Sequence, residues 1–140
     1  MTASYDPAAL RADLIRDESL RLKPYRCPAG KLTIGIGRNL DDVGISREEA
    51  ESLLDHDIAA LTVDFDRALP WWRGLSEARQ RALLNMGINL GLPRLLGFRR
   101  MLAALERGEF ATAAAEALDS PWAGQVGARA QRIAALLRAG

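Results

Sequence analysis

The residues best placed to do chemistry lie between Asp17 and Arg38, in the stretch DESLRLKPYRCPAGKLTIGIGR. Two adjacent acids, Asp17 and Glu18, stand at the foot of an amphipathic helix. Neighbours on a helix are about 100° apart, so the two cannot face one partner. The helix dipole disfavours carboxylates near a C-terminus, which argues that one of them is kept for chemistry, although surface acids also occur in such places. A carboxylate at a helix end, facing a glycine-rich hairpin, gives a cleft one acid and a far wall of polar groups. The pattern suits a small hydrolase with Glu18 as its acid.

The elements that must position Glu18 follow from local signals. Asp6 and Pro7 read as an N-cap and a first helical residue, and Leu10, Leu14 and Ile15, with Ala8, form a stripe running to about Glu18. Leu20, Leu22 and Pro24 alternate with Arg21, Lys23 and Tyr25, and Leu32, Ile34 and Ile36 alternate with Thr33, Gly35 and Gly37. Joined by Pro28-Ala29-Gly30, these runs predict a two-stranded hairpin. The face carrying Thr33, Gly35 and Gly37 has little bulk, which fits either close approach of another group to the backbone or a bulge. Arg38 to Gly44 reads as a polar loop. Asp41 and Asp42 lack the oxygen spacing and closing Glu of a calcium loop, so a turn accounts for them better.

Ser46 and Glu49 form a capping box that opens a helix ending before Pro70. At about 20 residues it would span about 30 Å, enough to join two lobes. Trp71 and Trp72 fit either sugar stacking or a core, and core is the preferred reading. Further helices are expected from Ser76 to Leu90, from Arg94 to Glu106, from Glu109 to Leu118, and in a last segment from Ser120. The fold class is therefore α+β, with a small hairpin lobe, a mostly helical lobe and a cleft between them. One domain over 1–140 is expected, with the helix and hairpin lobe at about 15–45, the linking helix at 46–69 and the helical lobe at 70–140.

Composition narrows the function. The 140 residues carry 19 basic and 18 acidic side chains, a net charge of +1, which gives no general attraction to nucleic acid. Arg94, Arg99, Arg100, Arg107, Arg129, Arg132 and Arg138 gather toward the C-terminus, where a solvated helix face is the plainer account. A single cysteine excludes an intramolecular disulfide, and one cysteine with one histidine argues against a zinc site. No metal and no cofactor are expected. The N-terminal MTASYDPAALRADLIRDE has neither a basic start nor an apolar run, so no secretory signal is read. No stretch approaches the roughly 20 apolar residues of a membrane span. The expectation is a protein made soluble in the cytoplasm, inserting in no membrane, and monomeric.

The spacing Glu18, eight residues, Cys27, five residues, Thr33 resembles the signature of the phage-type lysozymes, glycoside hydrolase family 24. The hairpin LRLKPYRCPAGKLTIGIGRNL is similar to that family's hairpin, and Asn85 to Gly91, Gly97-Phe98, Trp122, Gln125, Arg129 and Arg132 resemble later positions. The similarity spans roughly residues 10 to 137. It implies hydrolysis of the β-1,4 bond between N-acetylmuramic acid and N-acetylglucosamine in peptidoglycan, with Glu18 protonating the leaving oxygen. By the same analogy Arg129 would pair with Glu18 and support it. Asn85 and Asn89, four apart on one helix face, would bind sugar substituents, with Gly35 and Gln125 also at the substrate. An endolysin would need a holin-like helper to reach the periplasmic or external wall.

Cys27 stands where many members of the family have Asp. It fits a thiolate base, a covalent nucleophile, or a spacer beside a water held by Thr33. The preferred reading has Cys27 and Thr33 together orienting the water, with inversion at the anomeric carbon. Rival readings are a cysteine peptidase or amidase on Cys27 and His56, a lytic transglycosylase using Glu18 alone, and a catalytically silent peptidoglycan-binding or phage structural module.

Overall fold

Asp6 does cap the first helix. Its Oδ1 accepts from the Ala8 and Ala9 amides at 2.9 and 3.4 Å, and α1 runs Pro7–Glu18. The structure is a computed structural model that describes residues 5–140; the part of the N-terminal reading that rests on residues 1–4 lies outside the described residues. The side chains of the helical stripe, Leu10, Leu14 and Ile15, are exposed.

The hairpin forms with one strand more than expected. β1 (Arg21–Arg26) and β2 (Leu32–Gly35) are antiparallel, with Tyr25 opposite Thr33 and Arg26 opposite Leu32. The register is irregular between Arg21 and Tyr25, around Pro24, which has no N–H for the ladder. β2 stops at Gly35 and does not continue to Gly37. Gly35 and Gly37 adopt φ of 71° and 76°, conformations open to glycine, and turn the chain into β3 (Arg38–Asn39). β3 pairs back on β2, with Arg38 opposite Ile34. The expected polar loop thus begins as a strand. Beyond it, Asn39 Oδ1 accepts from the Asp42 amide at 2.9 Å and Asp41 Oδ2 from the Leu32 amide at 2.7 Å, so both aspartates are engaged in the turn.

The capping box is present as read. Ser46 Oγ accepts from the Glu49 amide at 3.1 Å, and Glu49 Oε1 accepts from the Ser46 amide at 2.9 Å. It opens α2 (Arg47–Ala68). The chain divides into two compact units within this helix, the first ending at Glu51 and the second being Ser52–Gly140.

The second unit holds the apolar core. A 3-10 turn (Trp72–Gly74) leads to α3 (Glu77–Leu90), followed by α4 (Leu92–Leu96), α5 (Arg99–Glu106), α6 (Phe110–Leu118), α7 (Pro121–Val126) and α8 (Ala128–Ala139). The helix expected over Arg94 to Glu106 is two helices, because Phe98 leaves helical backbone (ψ 59°) to set its ring edge-on to Trp122 at 6.0 Å. Trp72 is buried against Phe65 in a T-shaped pair at 5.3 Å, a geometry worth about 0.5–1.5 kcal/mol beyond area. Gly87 lets α3 approach α2, since a Cβ there would lie 2.7 Å from Leu61 Cδ2. Arg79 closes the end of α8, donating to the Leu137 and Arg138 carbonyls at 2.8 and 2.9 Å.

Candidate active site

In the first unit, Glu18 is the last residue of α1 and is exposed. The helix stops there because Ser19 takes φ 65° and ψ 155°, a conformation essentially reserved for glycine and costing about 1–3 kcal/mol elsewhere. The Glu18 carboxyl rests against the backbone of Gly37. A Cβ on Gly37 would lie 2.8 Å from Glu18 Oε2 and 3.0 Å from its Cδ. Gly35, the glycine expected at the substrate, has nothing within 4 Å of such a Cβ. Gly35 shapes the turn and Gly37 receives the acid.

Cys27 and Thr33 meet at the turn that joins β1 to β2. Cys27 donates its amide to the Lys31 carbonyl at 2.9 Å and its carbonyl accepts from Gly30 at 2.8 Å, which fixes the turn around the thiol. The thiol is held below its ordinary value, first by the backbone of Lys31, against burial, and then by the backbone of Ala29 and the Thr33 hydroxyl. Donors converging on sulfur favour the thiolate. Thr33 is the one buried side chain in the described part of the first unit, and its Oγ1 donates to the Lys31 carbonyl at 2.9 Å. A hydroxyl has a single proton, and here Thr33 gives it to the Lys31 carbonyl.

In the second unit, the two asparagines are anchored to other helices. Asn85 Oδ1 accepts from Arg129 Nε at 2.9 Å, tying α3 to α8. Asn89 Oδ1 accepts from the Trp122 indole at 2.8 Å, tying α3 to α7. Each oxygen thereby accepts from a neighbouring helix, and each amide also carries an NH2 group as a donor. Asn85 and Arg129 line a groove of about 450 Å³ together with Leu54, Ile58, Leu84 and Ile88, which has the apolar walls and few polar groups of a ligand site. A second pocket, of about 500 Å³ at Phe98, Arg99 and Glu116, holds none of the predicted residues. Gln125 is exposed on α7. Among the described residues, no group of three His, Cys, Asp or Glu side chains is placed to hold a metal ion, and no helix is long and apolar enough to cross a membrane.

The phage lysozyme family model matches residues 16–138, a span that takes in Glu18, the hairpin and all but the last two residues of the second unit. The chain belongs to the phage lysozyme family. With it go the lysozyme-like α+β fold and the glycoside hydrolase class. Among relatives of this phage lysozyme family member, the pre-baseplate central spike protein Gp5 of Enterobacteria phage T4 is 30% identical over 91% of this chain and 27% of its own length. The endolysin of Acyrthosiphon pisum secondary endosymbiont phage 1 is 33% identical over 72% of this chain and 69% of its own. Probable T4-type lysozyme 1 of Dictyostelium discoideum is 26% identical over 89% and 90%. The chain thus spans about a quarter of the spike protein and most of the other two.

Arg38 and Glu49 were absent from the expected site. The guanidinium donates from Nη1 to Glu49 Oε1 and from Nη2 to Oε2, each at 2.8 Å, and reaches the Gly44 carbonyl at 3.2 Å. The pair holds the Glu49 carboxyl at about 2. Its sequence signal was half visible, since Ser46 and Glu49 read as a capping box while Arg38 read as loop.

Proposed function

We propose that the protein is a muramidase of the endolysin type, hydrolysing the β-1,4 bond between N-acetylmuramic acid and N-acetylglucosamine. Glu18 is the general acid. The C1–O bond breaks as Glu18 gives its proton to the leaving oxygen. A water held by the Cys27 sulfur and the Thr33 hydroxyl attacks C1 from the opposite face and yields a proton to the thiolate, so the product is inverted. The single observation that carries this reading is the packing of the Glu18 carboxyl on Gly37, in a hairpin whose turn also favours the Cys27 thiolate. Asn85 and Asn89 contribute amide donors, Gln125 a further polar contact, and Arg129 orders Asn85; Arg129 as a direct support for Glu18 belongs to the same proposal.

The protein acts as a monomer. It is made in the host cytoplasm and reaches the periplasmic or external wall with a holin-like helper, a part of the reading supported by the endolysin relative. The similarity to a quarter of a pre-baseplate central spike protein favours a second reading, a phage structural module; on that reading the module binds peptidoglycan without cutting it.

Mass spectrometry of fragments released from purified peptidoglycan tests the proposal. Reducing muramic ends, first formed as the inverted anomer by NMR, are expected. Anhydro ends would make the protein a transglycosylase, retained configuration would remove the water-orienting role of Cys27 and Thr33, and intact polymer would leave the binding module.

A further inference from the structure

We infer that Arg38 is a positioning residue for Glu18, acting through Gly37 and anchored by Glu49; the inference rests on Glu18 being the general acid. The turn that carries Gly37 has little to hold it from within. Gly35 and Gly37 have no side chains, both lie at positive φ, and Ile36 between them is 41% exposed. A turn bracketed by two glycines has more conformational freedom than one bracketed by residues with side chains. The Glu18 carboxyl nevertheless needs Gly37 in one place, because it packs directly on that backbone.

The constraint comes from the next residue. Arg38 is fixed twice, by its ladder position opposite Ile34 and by its guanidinium fork on both Glu49 oxygens. The same Nη1 also reaches the Gly44 carbonyl, so the fork spans the loop from β3 to the start of α2. Glu49 is rigid in turn, since its Oε1 accepts from the Ser46 amide in the capping box. A planar bidentate pair sets direction as well as distance. Arg38 and Glu49 are 38% and 43% exposed, so solvent screens the pair and its worth to global stability is small. What it supplies is geometry, and misplacement of a reacting group by about 1 Å can cost on the order of 100-fold in rate.

Steady-state kinetics on soluble peptidoglycan fragments, well below the melting temperature of each variant, test the inference. Arg38→Met is expected to lower kcat about tenfold with KM within about twofold, the mark of a lost transition-state interaction. Arg38→Lys should recover part of the loss. Glu49→Gln, which keeps the capping bond to Ser46, should fall between, and the double variant Arg38→Met, Glu49→Gln should be no slower than Arg38→Met, because the two act on one path. Should Arg38→Met not fold, Arg38→Lys and Glu49→Gln carry the test with the same expected direction. Wild-type kcat in the variants, or a loss confined to KM, overturns the inference. A Glu18→Gln control separates the two layers: turnover by that variant removes both the acid and its positioning, whereas a dead Glu18→Gln beside an unimpaired Arg38→Met removes the positioning alone.

Discussion

Glu18 Oε2 and the α-carbon of Gly37 are packed so closely that a methyl group on Gly37 would sit 2.8 Å from the oxygen. The acid at the end of α1 therefore depends on a glycine in the turn after β2. Gly37→Ala should lower kcat about 100-fold by displacing the carboxyl, and stability by about 1–2 kcal/mol through its positive φ. Gly35→Ala carries the same backbone cost with open space around it, so it should lose stability while kcat stays within about threefold. Paired kcat and thermal melts of the two variants check this contrast.

Cys27 should govern the rising limb of the pH profile. Backbone donors and Thr33 hold the thiol below its ordinary value, so kcat/KM should rise with pH through a point below about 8.5. Cys27→Ser should lose about 100-fold, as expected for removal of a base. Cys27→Asp should keep activity and move that limb to the carboxylate range, near about 4. A Cys27→Ala enzyme with the wild-type profile would make the residue a spacer.

The sequence disclosed what is local. Asp6 with Pro7, and Ser46 with Glu49, act within three residues, and both caps form as read. The end of β2 was hidden, because alternation through Leu32 to Gly37 says nothing of a positive φ at Gly35. Asn85 and Asn89 were legible as one helix face. Their partners, Arg129 and Trp122, lie 44 and 33 residues away and are fixed by packing alone. Glu18, Cys27 and Thr33 were singled out by their spacing, whereas the contact of Glu18 with Gly37 depends on the turn after β2 and had no signal in the sequence.

Asn89 has two separable functions. Its oxygen accepts from the Trp122 indole, so Asn89→Ala should cost about 1–3 kcal/mol by leaving a part-buried donor without its partner. Asn89→Asp keeps the acceptor and loses the NH2. Its melting temperature should stay near wild type while KM rises. Urea midpoints and KM for both variants check the division.

Acid should loosen the first unit late. Glu49 is held at about 2 against an ordinary 4.5. A depressed carboxyl contributes stability that is fully present above about 4.5 and lost as pH falls through about 2. Removing the guanidinium returns Glu49 toward its ordinary value, so Arg38→Met should flatten the fall in stability between those two pH values. Urea denaturation at stepped pH, read on wild type and variant, measures it.

The most direct measurement is the turnover of Glu18→Gln on purified peptidoglycan, read as soluble reducing fragments beside the wild type. Glutamine keeps the size and the contact with Gly37 but has no proton to give. Wild-type release with a loss of at least about 100-fold in the variant is the predicted result. Equal release by both proteins would contradict it, and Glu18 would then not be the acid.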